Sequence, residues 1–426
     1  MKGLSHIYRP DLLQKDILCF YMVLMSIQII ALEGMEISLV KAGAMAFSFP
    51  ILFCLLTRSR RDMTVFFLAI VYWMVLLCCS LMSSSVVSWD RIIYRAMFLS
   101  TFICHYYIIR TGTVEVSFVQ KLFAFIVCAY GVTFILQCFF FVIGIREMPL
   151  INLSGAMTMG GGIKANCLAI EPSNAARILA FVYWGYISLT EMVKGREMSI
   201  VEHYKENPYV TVSFWMTMLF MGSSTAILGA AIVGVHFFKK RLEIYLFAVL
   251  ACILFMSIDF HIETIDRLKK VIEAFLSDDT VTTLKNTESS GGSRIAPIIN
   301  TFTQLDITSL QTWIGKGSDN IRTHSAMWTT QRIGDINDFG LITYICSLIF
   351  VFKCCIRQFF CIETLLFAIL LGFAIGSLYT CWCGMMVFTA IKYYTIPHPH
   401  NESRLSKCDI SNSKRFWVRV LHTEWI

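Results

Sequence analysis

The chain is 426 residues long, 56% hydrophobic and only 15% charged, with a mean hydropathy of +0.65. Soluble proteins carry about 25% charged residues, so this chain is too poor in surface-forming residues for a water-soluble fold. The formal net charge of +7 does not mark a nucleic-acid binder either, because the basic residues fall in clusters between apolar runs, as in a membrane protein.

Apolar runs of bilayer-spanning length begin with "ILCFYMVLMSIQIIAL", Ile17 to Leu32. It lacks a small-residue cleavage site and further spans follow, so it reads as a retained first helix and not as a signal peptide. Length and loop charge give about twelve transmembrane helices with both termini cytoplasmic. They fall near 17–33, 37–56, 63–82, 92–109, 117–144, 168–190, 208–222, 224–238, 242–258, 337–352, 359–378 and 379–395. With that register the basic clusters all lie on the cytoplasmic side: Arg58 to Asp62, Lys239 to Arg241, Lys353 with Arg357, and the tail "SKRFWVR". The organisation is therefore a first transmembrane bundle over 1–258 (about nine helices), a non-cytoplasmic loop over 259–336, the last helices over 337–395 and a basic cytoplasmic tail over 396–426. Nearly all of the 16 cysteines sit within apolar runs, which excludes a disulfide framework, and none has zinc-site spacing.

Two non-cytoplasmic segments stand out. Residues 146–166 are glycine-rich and run directly into "CLAIEPSNAARI", Cys167 to Ile178. Glu171-Pro172 there is a good helix start, since proline suits the first turn and an acid suits the dipole. Arg177 has no such explanation. An ionisable residue inside a span usually faces a cavity, a partner or a substrate, and at a spacing of six it does not stack on Glu171 as a helical pair. The long loop opens with "HIETIDRLKKVIEAFL", whose Ile262, Ile265, Leu268, Ile272 and Phe275 repeat at helical spacing. It reads as an amphipathic surface helix. A Gly-Ser hinge and Arg294 follow, then "WIGKGSDNIRTHSAMW" with Lys316 between two glycines and Arg322 and His324 beyond. These cations are either solvated loop charges or an anion grip beside a glycine-permitted backbone approach. The chain then re-enters the membrane at "GDINDFGLITY", where Asp338 and Gly340 suit a helix cap. All four features lie on the predicted side away from the basic loops.

That order of motifs, Glu-Pro-Ser opening a middle span, a long outer loop with "GGSR" and "WIGKG", then "DFGLI", resembles the O-antigen polymerases (the Wzy family) and, more distantly, the O-antigen ligases. The resemblance covers residues 160 to 350. Polymerases of this family often show Arg-x-x-Gly-x-x-x-Glu-Pro; here Lys164, Cys167, Glu171 and Pro172 hold those positions. Ligases place a histidine ahead of a motif that Gly340 to Thr343 matches, but Thr329 stands at the histidine position, which favours the polymerase.

The resemblance implies an all-α, glycosyltransferase-C-like polytopic fold in a bacterial inner membrane, with a periplasmic loop carrying short helices. It also implies an enzyme that joins undecaprenyl-pyrophosphate-linked repeat units, without metal or other cofactor, beside a polysaccharide chain-length regulator. On that reading Glu171, Arg294 and His324 are the catalytic candidates, and Lys164, Ser173, Arg177, Lys316 and Arg322 the substrate-binding ones. Arginine and lysine there would hold pyrophosphate. A ligase or a flippase for a lipid-linked glycan is the alternative, and a transporter would claim Arg95 and His105.

Overall fold

The computed structural model describes residues 10–28, 39–58, 63–83, 87, 89–145, 164–238, 300–301, 303, 305–317, 336–376 and 378–395. The predicted span at 242–258, the amphipathic segment from His261, the basic tail, Arg294, Arg322 and His324 lie outside the described residues. What is described is helical, with no strand.

In chain order the helices are α1 (Pro10–Ser26), α2 (Leu39–Ala46), α3 (Ser48–Arg58), α4 (Thr64–Met82), α5 (Trp89–Arg110), α6 (Val116–Val142) and α7 (Pro172–Lys194). There follow α8 (Ile200–Glu206), α9 (Pro208–Phe220), α10 (Ser224–Phe238), α11 (Leu310–Ile314), α12 (Ile336–Cys354), α13 (Ile362–Leu371) and α14 (Tyr379–Thr395). Among the described residues four of them, α4, α5, α6 and α12, are long and apolar enough to cross a membrane. The protein is thus an all-α membrane protein. Large apolar side chains such as Phe53, Phe67, Phe125 and Phe139 stand on the outer faces, which suits hydrocarbon and would be costly in water.

Several predicted runs differ from the helices observed. The run expected at 17–33 is helical over 10–26, and the one at 37–56 is broken at Phe47 into α2 and α3. Ser48, first in α3, is buried and its hydroxyl meets that of Ser100 on α5, a polar contact that anchors the break. The run at 359–378 holds a helix only over Ile362–Leu371.

α7 is the central helix. It packs most extensively on α6 and α14, and also on α10, and every residue from Ser173 to Glu191 is buried except Arg177. A helix enclosed by neighbours on all sides can carry polar residues that a lipid-facing helix cannot. Small residues allow the close approach: Gly185 meets Val387 and Phe123, and Gly384 meets Phe181.

Contacts between helix ends define the two ends of the bundle. At the end opposite Glu171, Gln120 of α6 donates to Thr190 of α7 at 2.8 Å. There too Tyr394 donates to the Val114 carbonyl at 2.8 Å, and Lys392 donates to the carbonyls of Phe352, Lys353 and Ile356 at 3.0, 2.9 and 2.6 Å. A lysine on the last carbonyls of a helix satisfies acceptors that the helix cannot pair itself. Glu191, buried at the same end, takes the backbone N–H of Met198 at 2.9 Å and lies 2.9 and 3.0 Å from Nε2 of His236. These bonds tie α7, the turn into α8 and α10 together. Ser199 and Glu202 form a capping box at the start of α8. The Ser199 N–H, the Arg196 guanidinium and the Ser199 hydroxyl hold the Glu202 carboxyl down to about 2, so this cap is intact at neutral pH and is lost as pH falls through that value.

Candidate functional site

The Glu171 end is built from the segment 164–171, which is not helical. Its backbone turns at Cys167, and the Ala169 N–H closes on the Asn166 carbonyl at 2.9 Å. Cys167 has φ 51°, a left-handed conformation that non-glycine residues adopt at a cost of order 1–3 kcal/mol. Two buried amides hold it there. Gln137 of α6 donates to the Asn166 side chain at 2.8 Å and accepts the Cys167 N–H at 3.0 Å. The Asn166 amide in turn donates to the carbonyls of Ala169 and Ile170 at 2.8 and 3.3 Å. Neighbouring elements grip the same turn: the Gln28 N–H just past α1 donates to the Leu168 carbonyl at 2.8 Å, and the Ile170 N–H donates to the Tyr379 hydroxyl at 3.3 Å.

From this clamp the chain enters α7. Glu171 occupies the N-cap position with extended backbone, Pro172 the first turn, and the Glu171 carbonyl accepts from Asn174 and Ala175 at 3.0 and 3.1 Å. The helix start expected from Glu-Pro is therefore present. Its side chain does not cap: the carboxylate instead accepts the Ser173 hydroxyl at 3.1 Å and stays exposed at the rim. An N-cap side chain is normally useful by taking the N–H of the second or third helical residue, and Glu171 forgoes that role. More than a turn and a half inward Arg177 is half-buried, and among the described residues its guanidinium makes a long 3.5 Å contact to the Asn174 side chain. Its buried Nε meets no acceptor among the described residues, and no ion pair joins it to Glu171 there.

A second junction lies at the same end of the bundle. Gly315 (φ 82°) and Gly340 (φ 81°) face each other. A Cβ on Gly315 would meet the Asp338 carbonyl oxygen at 2.5 Å, and one on Gly340 the Trp313 carbonyl oxygen at 2.1 Å. Across the gap the Lys316 N–H donates to the Asn337 carbonyl at 2.7 Å and the Gly317 N–H to that of Asp338 at 3.1 Å. The two glycines around Lys316 were expected to admit an anion; the backbone that approaches Gly315 is instead the chain's own re-entry segment. Gly340 kinks α12 within its first turns and goes beyond a simple cap. Arg91 of α5 reaches Asp338 at 3.9 Å, and the Arg95 guanidinium lies 4.5 Å from the Phe339 ring centre and 3.4 Å from the Tyr72 hydroxyl.

Of the residues singled out in the sequence, Glu171, Ser173 and Arg177 share one helix start, Lys164 begins the segment that leads to it, and the exposed Lys316 lies at the glycine junction. Four further residues hold this end together: Gln137, Asn166, Lys41 and Tyr379. Gln137 within "FILQCFFF" and Lys41 within "SLVKAGAMAFSF" were visible as polar interruptions of apolar runs; Tyr379 carried no signal. No family model, no curated protein and no solved structure matches the chain.

Proposed function

We propose that this protein is a membrane glycosyltransferase that joins undecaprenyl-pyrophosphate-linked oligosaccharide units into a surface polysaccharide of the O-antigen type, at the periplasmic face of a bacterial inner membrane. The observation that carries the reading is Cys167. The O-antigen polymerases that the sequence resembles often have glycine at this position, four residues ahead of the Glu-Pro pair. Here its backbone is left-handed, the conformation that favours glycine. The turn a glycine would serve is present although the glycine is not. The second support is the gathering of the Glu-Pro-Ser start and the "DFGLI" re-entry at one end of the bundle, while Arg110, Lys194, Lys353, Arg357 and Lys392 sit toward the other. With about twelve spans that second end is cytoplasmic.

On this reading the acceptor hydroxyl attacks the anomeric carbon of the donor glycan as the bond to the pyrophosphate oxygen breaks. The hydroxyl proton passes to the Glu171 carboxylate, which is exposed at the rim. Negative charge grows on the departing pyrophosphate, and Arg177, Lys164 and Lys316 stabilise it; Arg294 and Arg322 are assigned to the same task and His324 to a second proton transfer on the strength of the sequence alone. A transporter would need Arg95 and His105 for its cargo, yet Arg95 stacks on Phe339 and His105 pairs with the Met386 carbonyl at 3.0 Å, both within the bundle.

Disrupting the gene in its host and running the surface polysaccharide on a gel tests the proposal. Single-repeat glycan is the expected result; bare lipid core would overturn the proposal in favour of a ligase or a flippase. A finer test uses the turn. Cys167→Gly should leave the polymer ladder intact, whereas Cys167→Val, β-branched at positive φ, should cost about 1–3 kcal/mol of local stability and shorten or remove the ladder at matched protein level.

A further inference from the structure

Lys41 lies in the first turn of α2, 1% exposed, inside an apolar run. Replacing a buried ammonium by a well-packed apolar residue of similar volume is often neutral or stabilising. Its retention in a membrane helix therefore calls for something the ammonium does there. Two sets of contacts say what. The Nζ donates to the Ile27 carbonyl at 2.9 Å, holding the last residues after α1, where Tyr130 also donates to the Ser26 carbonyl and where the next N–H, that of Gln28, binds Leu168. The same Nζ lies 3.8 Å from the centre of the Tyr379 ring, a cation–π distance, and the Tyr379 hydroxyl takes the Ile170 N–H. By both routes one side chain reaches the 168–170 backbone, immediately before Glu171.

We infer that Lys41 is a positioning residue for the Glu171 rim: its ammonium fixes the end of α1 and the Tyr379 ring, and these two together hold the 168–170 backbone so that the Glu171 carboxylate is aimed out of the bundle. The physical part stands on the contacts alone; its consequence for polymerisation rests on the function proposed above. Positioning of this kind matters because a catalytic carboxylate displaced by about 1 Å loses about 100-fold in rate.

The test is amide hydrogen exchange on the full-length protein in detergent, with polymer length in the host as a second readout. Lys41→Met keeps the apolar stem and removes the charge. It should raise exchange at Gln28 and Ile170 by about tenfold, a local opening, with the α2 amides unchanged, and it should cut polymer about tenfold at matched protein level. Tyr379→Phe keeps the ring and removes the hydroxyl, so only the Ile170 amide should respond. A purely structural lysine would instead loosen α2 itself. Unchanged exchange at Gln28 and Ile170 in Lys41→Met overturns the inference. If that variant does not fold, unchanged Ile170 exchange in Tyr379→Phe overturns it in its place. Faster exchange with a full polymer ladder leaves the positioning intact and removes Glu171 from the chemistry, so the two failures are distinguishable.

Discussion

Glu171→Gln is expected to lower polymerisation by about 100-fold or more with the protein still inserted and accumulating normally. The change keeps the shape and the N-cap backbone, whose carbonyl bonds to Asn174 and Ala175 do not involve the side chain. If Glu171 served only the helix dipole, the loss would be about 0.3–1 kcal/mol of helix stability with little effect on product. The carboxylate's exposure at the rim, with Ser173 as its hydrogen-bond donor, argues for the larger effect. Arg177→Ala should match it, because on the proposed function its guanidinium holds the departing pyrophosphate. Pro172→Ala is the control and should be mild, since proline there only presets the first turn. The measurement is a polysaccharide gel beside an immunoblot for each variant. A normal ladder from Glu171→Gln would reduce the segment to a helix start and remove the main support for the proposed chemistry.

Gly340→Ala should be the most damaging small substitution for stability. The added Cβ would sit 2.1 Å from the Trp313 carbonyl oxygen, backbone and not a yielding side chain, at φ 81°. At φ 81° and ψ 168° the backbone lies in a region essentially reserved for glycine, which costs roughly 1–3 kcal/mol for a residue with a Cβ. Separating the strands of chain enough to admit it adds overpacking strain of about 1–3 kcal/mol. It also forfeits the Lys316 and Gly317 backbone bonds, at about 1 kcal/mol each. A total loss of about 4–8 kcal/mol follows, enough to abolish the cooperative thermal transition of many domains in detergent. Gly315→Ala, facing the Asp338 carbonyl at 2.5 Å, should fall in the same range. Gly43→Ala, which meets nothing within 4 Å, should melt like the parent protein; an unshifted melt for Gly340→Ala would mean that the two glycine turns do not pair.

The helices themselves were legible in the sequence where a single apolar run decides the matter. The run expected at 63–82 is α4 at Thr64–Met82, that at 224–238 is α10 over the same residues, and that at 379–395 is α14 at Tyr379–Thr395. Burial of apolar area and internal pairing of backbone groups act locally along such a run, so composition and length suffice. Glu171 and Arg177 were legible for the opposite reason: a charge in an apolar run is conspicuous because it is expensive. What only the tertiary structure decided is who meets whom. Gln137 and Asn166 are 29 residues apart, Ile170 and Tyr379 are 209, and Gly315 finds Gly340 by approach of two backbones that no periodicity encodes. Lys41 was visible as a charge, but its route to Glu171 through Ile27 and Tyr379 depends on three separate helix ends arriving at one point. Local pattern carries the cost of each residue along the chain; the compensation for that cost comes from partners distant in sequence, and those are set by packing.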